Sequence, residues 1–225
     1  MSLILDFLFP PRCEGCGKLG CYICAKCADT IVLRGARCPE CDRMAIDGMT
    51  HPVCQRAQGL DGLISVFAYS GVIKKVLKTI KYRFVHHEAE SLINLIPKDL
   101  WILLKRHFSN FVIYPVPLHE DRLKWRGFNQ AEKLAEFISV RLQLPVAEGL
   151  LIRSEKRTPQ ADISHRQDRI KNAKGLFGFS SILKSQYPSI LLIDDVWTTG
   201  ATMKEAAKVL KRNGAAKVWA ITMAR

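Results

Sequence analysis

The sequence has no cysteine beyond Cys54, no apolar run of bilayer length, and only 21 carboxylate side chains against 34 lysines and arginines. Each shortage narrows what the chain can be. The opening stretch Leu3-Ile4-Leu5-Asp6-Phe7-Leu8-Phe9 is too short to span a hydrocarbon core, which takes about 20 residues. No Lys or Arg precedes it, as a secretion signal requires. The expectation is a cytoplasmic protein with no membrane insertion, whose first residues form a short helix packed on a neighbouring domain. The deficit of carboxylates leaves a formal charge of +13, unevenly spread: residues 1–58 hold seven Lys/Arg and six Asp/Glu, leaving 27 and 15 for residues 59–225. Such a surface attracts nucleic acid, anionic lipid or polyphosphate, and charge alone does not rank them. Residues 1–58 also carry few apolar side chains, too few to fold on a core of their own. The chain divides into a small stapled domain, 1–58, and a medium domain, 59–225.

All eight cysteines fall between Cys13 and Cys54. Six pair as C-x-x-C at Cys13/Cys16, Cys24/Cys27 and Cys38/Cys41, and His51-Pro52-Val53-Cys54 repeats the spacing. Two intervening residues let one tight turn aim both side chains at a single tetrahedral ion, so four knuckles make two zinc sites. Disulfides need an oxidising compartment, and a redox dithiol needs a thioredoxin-like setting that is missing. Sequential pairing places Cys13, Cys16, Cys24 and Cys27 on one ion and Cys38, Cys41, His51 and Cys54 on the other, as in a double zinc ribbon. A cross-braced pairing fits the same spacings. Cys21 is left over, although its spacing to Cys24 lets it stand in for Cys27. Each set is closed, so the zinc is expected to be structural.

The segment Ile190-Leu191-Leu192-Ile193-Asp194-Asp195-Val196-Trp197-Thr198-Thr199-Gly200-Ala201-Thr202 joins an apolar run to paired carboxylates and then to a hydroxyl-rich loop. The run reads as a buried parallel strand, and ligands of parallel sheets bind beyond the carboxyl ends of the strands. Asp194 and Asp195 accept hydrogen bonds from vicinal hydroxyls and repel a phosphate. Thr198 to Thr202 supply hydroxyls and amide N–H groups around Gly200 and open a helix, Met203 to Asn213, whose N-terminal dipole favours an anion. Gly214 ends that helix. The order of parts suits a phosphorylated sugar.

Upstream, Leu63 to Tyr69 reads as a strand and Gly71 precedes an amphipathic helix, Val72 to Lys81, with Lys74, Lys75, Lys78 and Lys81 on its polar face. Lys81-Tyr82-Arg83-Phe84 interleaves cations with rings, a pattern that suits single-stranded nucleic acid, although a lysine-rich solvated helix face is the more ordinary reading. Phe111 to His119 reads as a second strand broken by Pro115 and Pro117. Asn129 or a neighbour starts a helix, Ala131 to Leu142, which is expected to place Arg126, Gly127 and nearby N–H groups at a helix N-terminus as a pyrophosphate cradle. From Arg153 to Lys174, seven Lys/Arg face three acidic residues without apolar periodicity. This reads as a long mobile loop, with His165, Arg166, Arg169 and Asn172 suited to anionic ligands. Lys217 to Ala224 supplies a closing strand.

The strand, acidic pair and T-T-G-x-T loop resemble the phosphoribosyl pyrophosphate signature of type I phosphoribosyltransferases. With the C-x-x-C knuckles, P-V-P-L at Pro115–Leu118, R-G-F-N-Q at Arg126–Gln130 and T-P-Q at Thr158–Gln160, the whole order resembles the ComF family of bacterial competence proteins, nearly end to end. The resemblance implies an α/β fold: a type I phosphoribosyltransferase-like parallel sheet flanked by helices, with a small N-terminal zinc ribbon. It implies a role in natural transformation, the handling of incoming single-stranded DNA, and phosphoribosyl pyrophosphate with Mg2+ as ligand; a separate reading has the ribbon dock a helicase or other DNA-uptake protein. It assigns Asp194 and Asp195 as the catalytic and ribose-binding pair, Thr198, Thr199, Gly200, Ala201 and Thr202 as the 5′-phosphate loop, and Arg126 and Gly127 to the pyrophosphate side. The family usually ends its ribbon with C-x-x-C, where this chain has His51. Lys74, Lys75, Lys78, Lys81, Arg83, Arg166 and Arg169 are the candidate DNA contacts. No residue names an acceptor base. An active transferase on an unidentified nitrogenous base and a ligand-sensing module kept on a transferase fold both remain open.

Overall fold

The computed structural model describes residues 10–82, 86–153, 173–180 and 187–225. The opening Leu3–Phe9 stretch, Arg83, Arg166, Arg169 and most of the basic loop lie outside the described residues. Along the chain come α1 (Ala25–Ala28), β1 (Gly62–Phe67), α2 (Gly71–Tyr82), α3 (His86–Asn94), α4 (Lys98–Phe108), β2 (Val112–Pro115), α5 (Glu120–Arg126), α6 (Gln130–Leu142), β3 (Leu151–Arg153), β4 (Phe177–Phe179), β5 (Ser189–Val196), α7 (Ala201–Arg212) and β6 (Lys217–Ala224). Four strands form one sheet in the order β1-β6-β5-β2, parallel at every pairing, and β3 pairs antiparallel with β4 in a small second sheet.

Both faces of the large sheet are covered, which is why its strands are apolar at nearly every position. Successive residues point to opposite sides. Leu191, Ile193, Ile221 and Met223 pack with α2, α3, α4 and α6. Ile190, Leu192, Val218 and Ala220 pack with α7 and the β3–β4 pair. The continuous apolar run of β5 is thus shared between two cores. It carries Asp194 and Asp195 to the carboxyl edge, with Asp194 opposite Thr222 in the register.

The cysteine-rich segment lies against the free edge of β1. Leu33 bridges to Phe67 and Met49 to Gly62, while the Arg34 amide donates to Val66 O and the Ala68 amide to Val32 O, each at 2.8 Å. That blunts an edge which would otherwise offer unpaired N–H and C=O groups. On the other side, Cys13, Cys24 and Cys27 belong to the same apolar cluster as Val72, Ile73 and Val76 of α2. A Cβ at Gly15 would lie 2.5 Å from Cys27 Sγ and 3.0 Å from Val72, so only glycine fits this approach.

Candidate functional site

Asp194 is half-buried and Asp195 only 5% exposed. Asp194 Oδ1 accepts from the Asp195 amide at 2.8 Å, and Asp195 Oδ1 from the Val196 amide at 2.9 Å. Lys81, at the end of α2, places Nζ 2.7 Å from Asp195 Oδ2 in an ion pair whose angles fall outside those of a hydrogen bond. Lys81 is therefore turned toward the acidic pair and away from the outer face of its helix. Burial, then the charge of Asp195, holds the Asp194 carboxyl well above the usual carboxylate range, and Lys81 counters only part of this. An ionised Asp194 gains from hydroxyl donors or a hard cation supplied from outside.

The loop after the pair turns on Gly200, whose φ of 71° is left-handed and whose Cβ, if present, would lie 2.0 Å from Trp197 Cζ2. Glycine is required twice here, for its conformation and for its contact with a buried ring. Gly200 is the N-cap of α7, which starts at Ala201, two residues earlier than the sequence pattern suggests. Thr202 therefore sits in the first turn. The Thr199 hydroxyl accepts from the Ala201 amide at 3.3 Å. First-turn N–H groups of a helix have no intrahelical partner, so this end is rich in donors suited to an anion.

A cation that the sequence reading did not single out completes the edge. Tyr114 of β2 receives the Leu151 amide on its hydroxyl at 2.8 Å, its phenol pushed up to about 12 by burial. This pins β3, whose last residue is Arg153. Arg153 Nη1 donates to Pro117 O at 2.8 Å and its guanidinium lies 5.7 Å from the Phe177 ring centre. Burial and the neighbouring Arg122 cation lower Arg153 to about 10, while Asp194 draws it back. A guanidinium this poorly solvated is a strong partner for an anion. The only local signal for it was an arginine closing an apolar triplet.

Asn129 starts α6 as expected, and Gly127 lies two residues before it. Gly127 also closes a short helix that the sequence reading did not contain, α5, with φ of 76° and its amide donating to Leu123 O at 2.7 Å. Left-handed glycine is the ordinary C-terminal stop. Arg126 Nη1 donates to Gln130 Oε1 at 3.1 Å, and Asn129 caps α6 through the Ala131 amide.

The metal-ligand candidates come together in sequential pairs. The ligand atoms of Cys13, Cys16, Cys24 and Cys27 lie within 4.8 Å of one another, as do those of Cys38, Cys41, His51 and Cys54. Cys21 stays outside both sets, and all eight thiols are free. Burial would raise Cys13, but the amides of Cys24, Cys16 and Gly15 overcome it and bring the thiol to about 6; those of Cys41, His51 and Glu40 likewise bring Cys38 to about 7. Burial and the nearby Cys41 and Cys38 then push Cys54 to about 11. The first thiolate of each set forms readily and opposes the next, a conflict that a divalent cation such as zinc removes. His51 fits the set: Nε2 donates to Met44 O at 2.8 Å, which turns the Nδ1 lone pair toward Cys41 Sγ, 3.3 Å away.

Of the candidate DNA contacts, Lys74 and Lys78 are exposed on α2. Lys75 is exposed as well and donates to the Gly15 carbonyl at 3.1 Å. A cavity of about 540 Å³ lined by Met49, His51, His107, Phe111 and Trp219 lies at the amino ends of β1 and β6. That is the opposite end of the sheet from Asp194. Among the described residues, no helix is long and apolar enough to cross a membrane.

No protein-family model matches the chain. It is similar to the competence protein ComFC of Bacillus subtilis, with 30% identity over 218 residues, 91% of this chain and 83% of that protein. It is also similar to the DNA utilization protein YhgH of Salmonella typhimurium, 29% identical over 211 residues, 88% and 89% of the two chains. Competence protein F of Haemophilus influenzae matches over 115 residues at 34% identity, 50% and 49%.

Proposed function

The chain belongs to the ComF family of competence proteins, and from that membership we propose that it binds phosphoribosyl pyrophosphate with Mg2+ and assists the handling of incoming single-stranded DNA in natural transformation. The observation that carries the ligand reading is one strand end: Asp194, held above its usual carboxylate range at the close of β5, is followed six residues on by a left-handed Gly200 at the N-terminus of α7. The diol of a pentose supplies hydroxyl donors to the carboxylate, and the 5′-phosphate takes the amides of Thr199 to Thr202. Arg153, held by Pro117 O, faces the departing or retained diphosphate. Mg2+ enters with that diphosphate, for which carboxylate oxygens are suitable hard ligands.

The DNA reading rests on the exposed Lys74 and Lys78, on the excess of cations in residues 59–225, and on relatives named for competence and DNA utilization. The ribbon exposes Met44, Ile46 and Val53, an apolar group suited to a protein partner of the uptake machinery. The deciding measurement is titration calorimetry with phosphoribosyl pyrophosphate and Mg2+. Wild type binds, and Asp194→Ala combined with Asp195→Ala abolishes binding; an unchanged affinity rejects the site. Pyrophosphate release screened over nucleobases then separates transfer from binding alone.

A further inference from the structure

We infer that the second metal knuckle braces the phosphate loop, so that a metal ion at Cys38, Cys41, His51 and Cys54 and a donor at Thr198 to Thr202 stabilise one another. The identity of the donor rests on the reading above. The contacts that carry the inference belong to the chain itself.

The knuckle reads Cys38-Pro39-Glu40-Cys41-Asp42. Glu40, between the two ligands, pairs at 3.0 Å with Lys204 in the first turn of α7. Asp42, the residue after Cys41, pairs at 2.8 Å with Arg225. The Arg225 guanidinium lies 5.4 Å from the centre of the Trp197 ring. Trp197 is buried, its amide donates to Ala224 O at 2.8 Å, and its ring is the surface on which Gly200 rests. Two short chains of contact therefore run from the knuckle to the phosphate loop. One passes through Arg225 and Trp197 to Gly200, the other through Lys204 to the start of α7.

The turn itself is tightly specified. Asp42 has φ of 61°, its amide donates to Cys38 O at 3.1 Å, and its carbonyl receives Arg37 Nη1 at 2.8 Å. Two ligands on one ion fix this turn, and with it the directions of both carboxylates. An isolated ion pair with one partner as exposed as Asp42, at 54%, holds little. Here two pairs hang on one metal-fixed turn, and one of them ends on a cation stacked over a buried ring.

Coulombic reasoning alone predicts the reverse effect. Removing the charge of Asp42 would leave Arg225 more positive near an anion site and tighten donor binding. The sign of the change therefore separates a brace from a charge effect.

The test uses the full chain loaded with zinc, following zinc release to a chromophoric chelator and donor affinity by calorimetry. Asp42→Asn keeps a residue tolerant of left-handed φ at an exposed position, so the variant folds. The expected result is that Asp42→Asn and Arg225→Ala each release one zinc equivalent several-fold faster while the other equivalent is unchanged. Each also weakens phosphoribosyl pyrophosphate several-fold, and the double variant is no worse than the stronger single. By linkage, the donor slows release of that same equivalent from wild type. Tighter donor binding in Asp42→Asn, or wild-type zinc release in both variants, overturns the brace. Should wild type bind no donor, the donor-site reading fails while the zinc-release arm still decides the brace.

Discussion

At Asp194, stability and ligand binding pull in opposite directions. Its carboxyl is held above the ordinary value of about 3.9, first by burial and then by Asp195. The folded chain thus binds this proton more tightly than the unfolded one does. The stability it contributes is complete below the unfolded value and is lost as pH rises through the raised folded value. At neutral pH an ionised Asp194 is a cost that a bound donor offsets. Asp194→Asn keeps the shape and can still accept the Asp195 amide. It is expected to add about 1 kcal/mol at pH 7.5, a rise of about 2–4 °C in thermal midpoint for a chain of this size. The same variant should flatten the fall of stability above acid pH and lose donor affinity at least tenfold. Calorimetric melts of both proteins across pH check the first part, and a variant melting below wild type at pH 7.5 would show that the buried charge carries no cost.

At the level of elements, legibility followed local pattern. The strands around Leu63–Phe67 and Ile190–Ile193 were readable because an unbroken apolar run has few other uses, and α2 because Val72, Ile73, Val76, Leu77 and Ile80 make one stripe. The helix α5 was not, since none of its seven residues is buried and it leaves no stripe; its marks are only acidic residues in the first turn, basic ones in the last, and Gly127 behind them. Arg153 was missed for a different reason. Its place depends on Tyr114 meeting Leu151, a contact between distant segments that no local window contains. The same holds for Lys81, which reads as part of a basic face until Asp195 is beside it. The docking of the ribbon on β1 was equally invisible, although the ligand spacing was plain. That docking has a consequence for metal removal. A strong chelator should free the segments at Leu33 and Met49 from the edge of β1, lower the thermal midpoint by about 5 °C or more, and promote self-association through the bared strand. Light scattering during a chelator titration measures this; a chelated protein that stays monodisperse with an unchanged melt would place the metal outside the fold's stability.

Across the whole molecule, the count of 34 lysines and arginines overstates the cations free to meet a polyanion, while the net +13 already includes their acidic partners. Lys81 is paired with Asp195, Lys204 with Glu40 and Lys211 with Asp61, whereas Lys75 donates to the neutral Gly15 carbonyl and keeps its charge at the surface. These contacts tie the ribbon, the basic helix and the sheet edge into one body, so cations that look interchangeable in the sequence divide into internal ties and outward charges. Lys74 and Lys78 are outward. Single-stranded DNA binding that depends on counterion release falls with salt by about 0.7 log unit of affinity per log unit of salt for each phosphate contacted. Lys74→Ala with Lys78→Ala should therefore shallow that slope by about 1.4, measured by fluorescence anisotropy of a labelled oligonucleotide over a salt series. Lys81→Ala should leave the slope unchanged, because its charge is already matched within the chain, while altering donor affinity through Asp195. An affinity indifferent to salt, or a slope lowered as much by Lys81→Ala as by the outer pair, would remove α2 from the DNA surface.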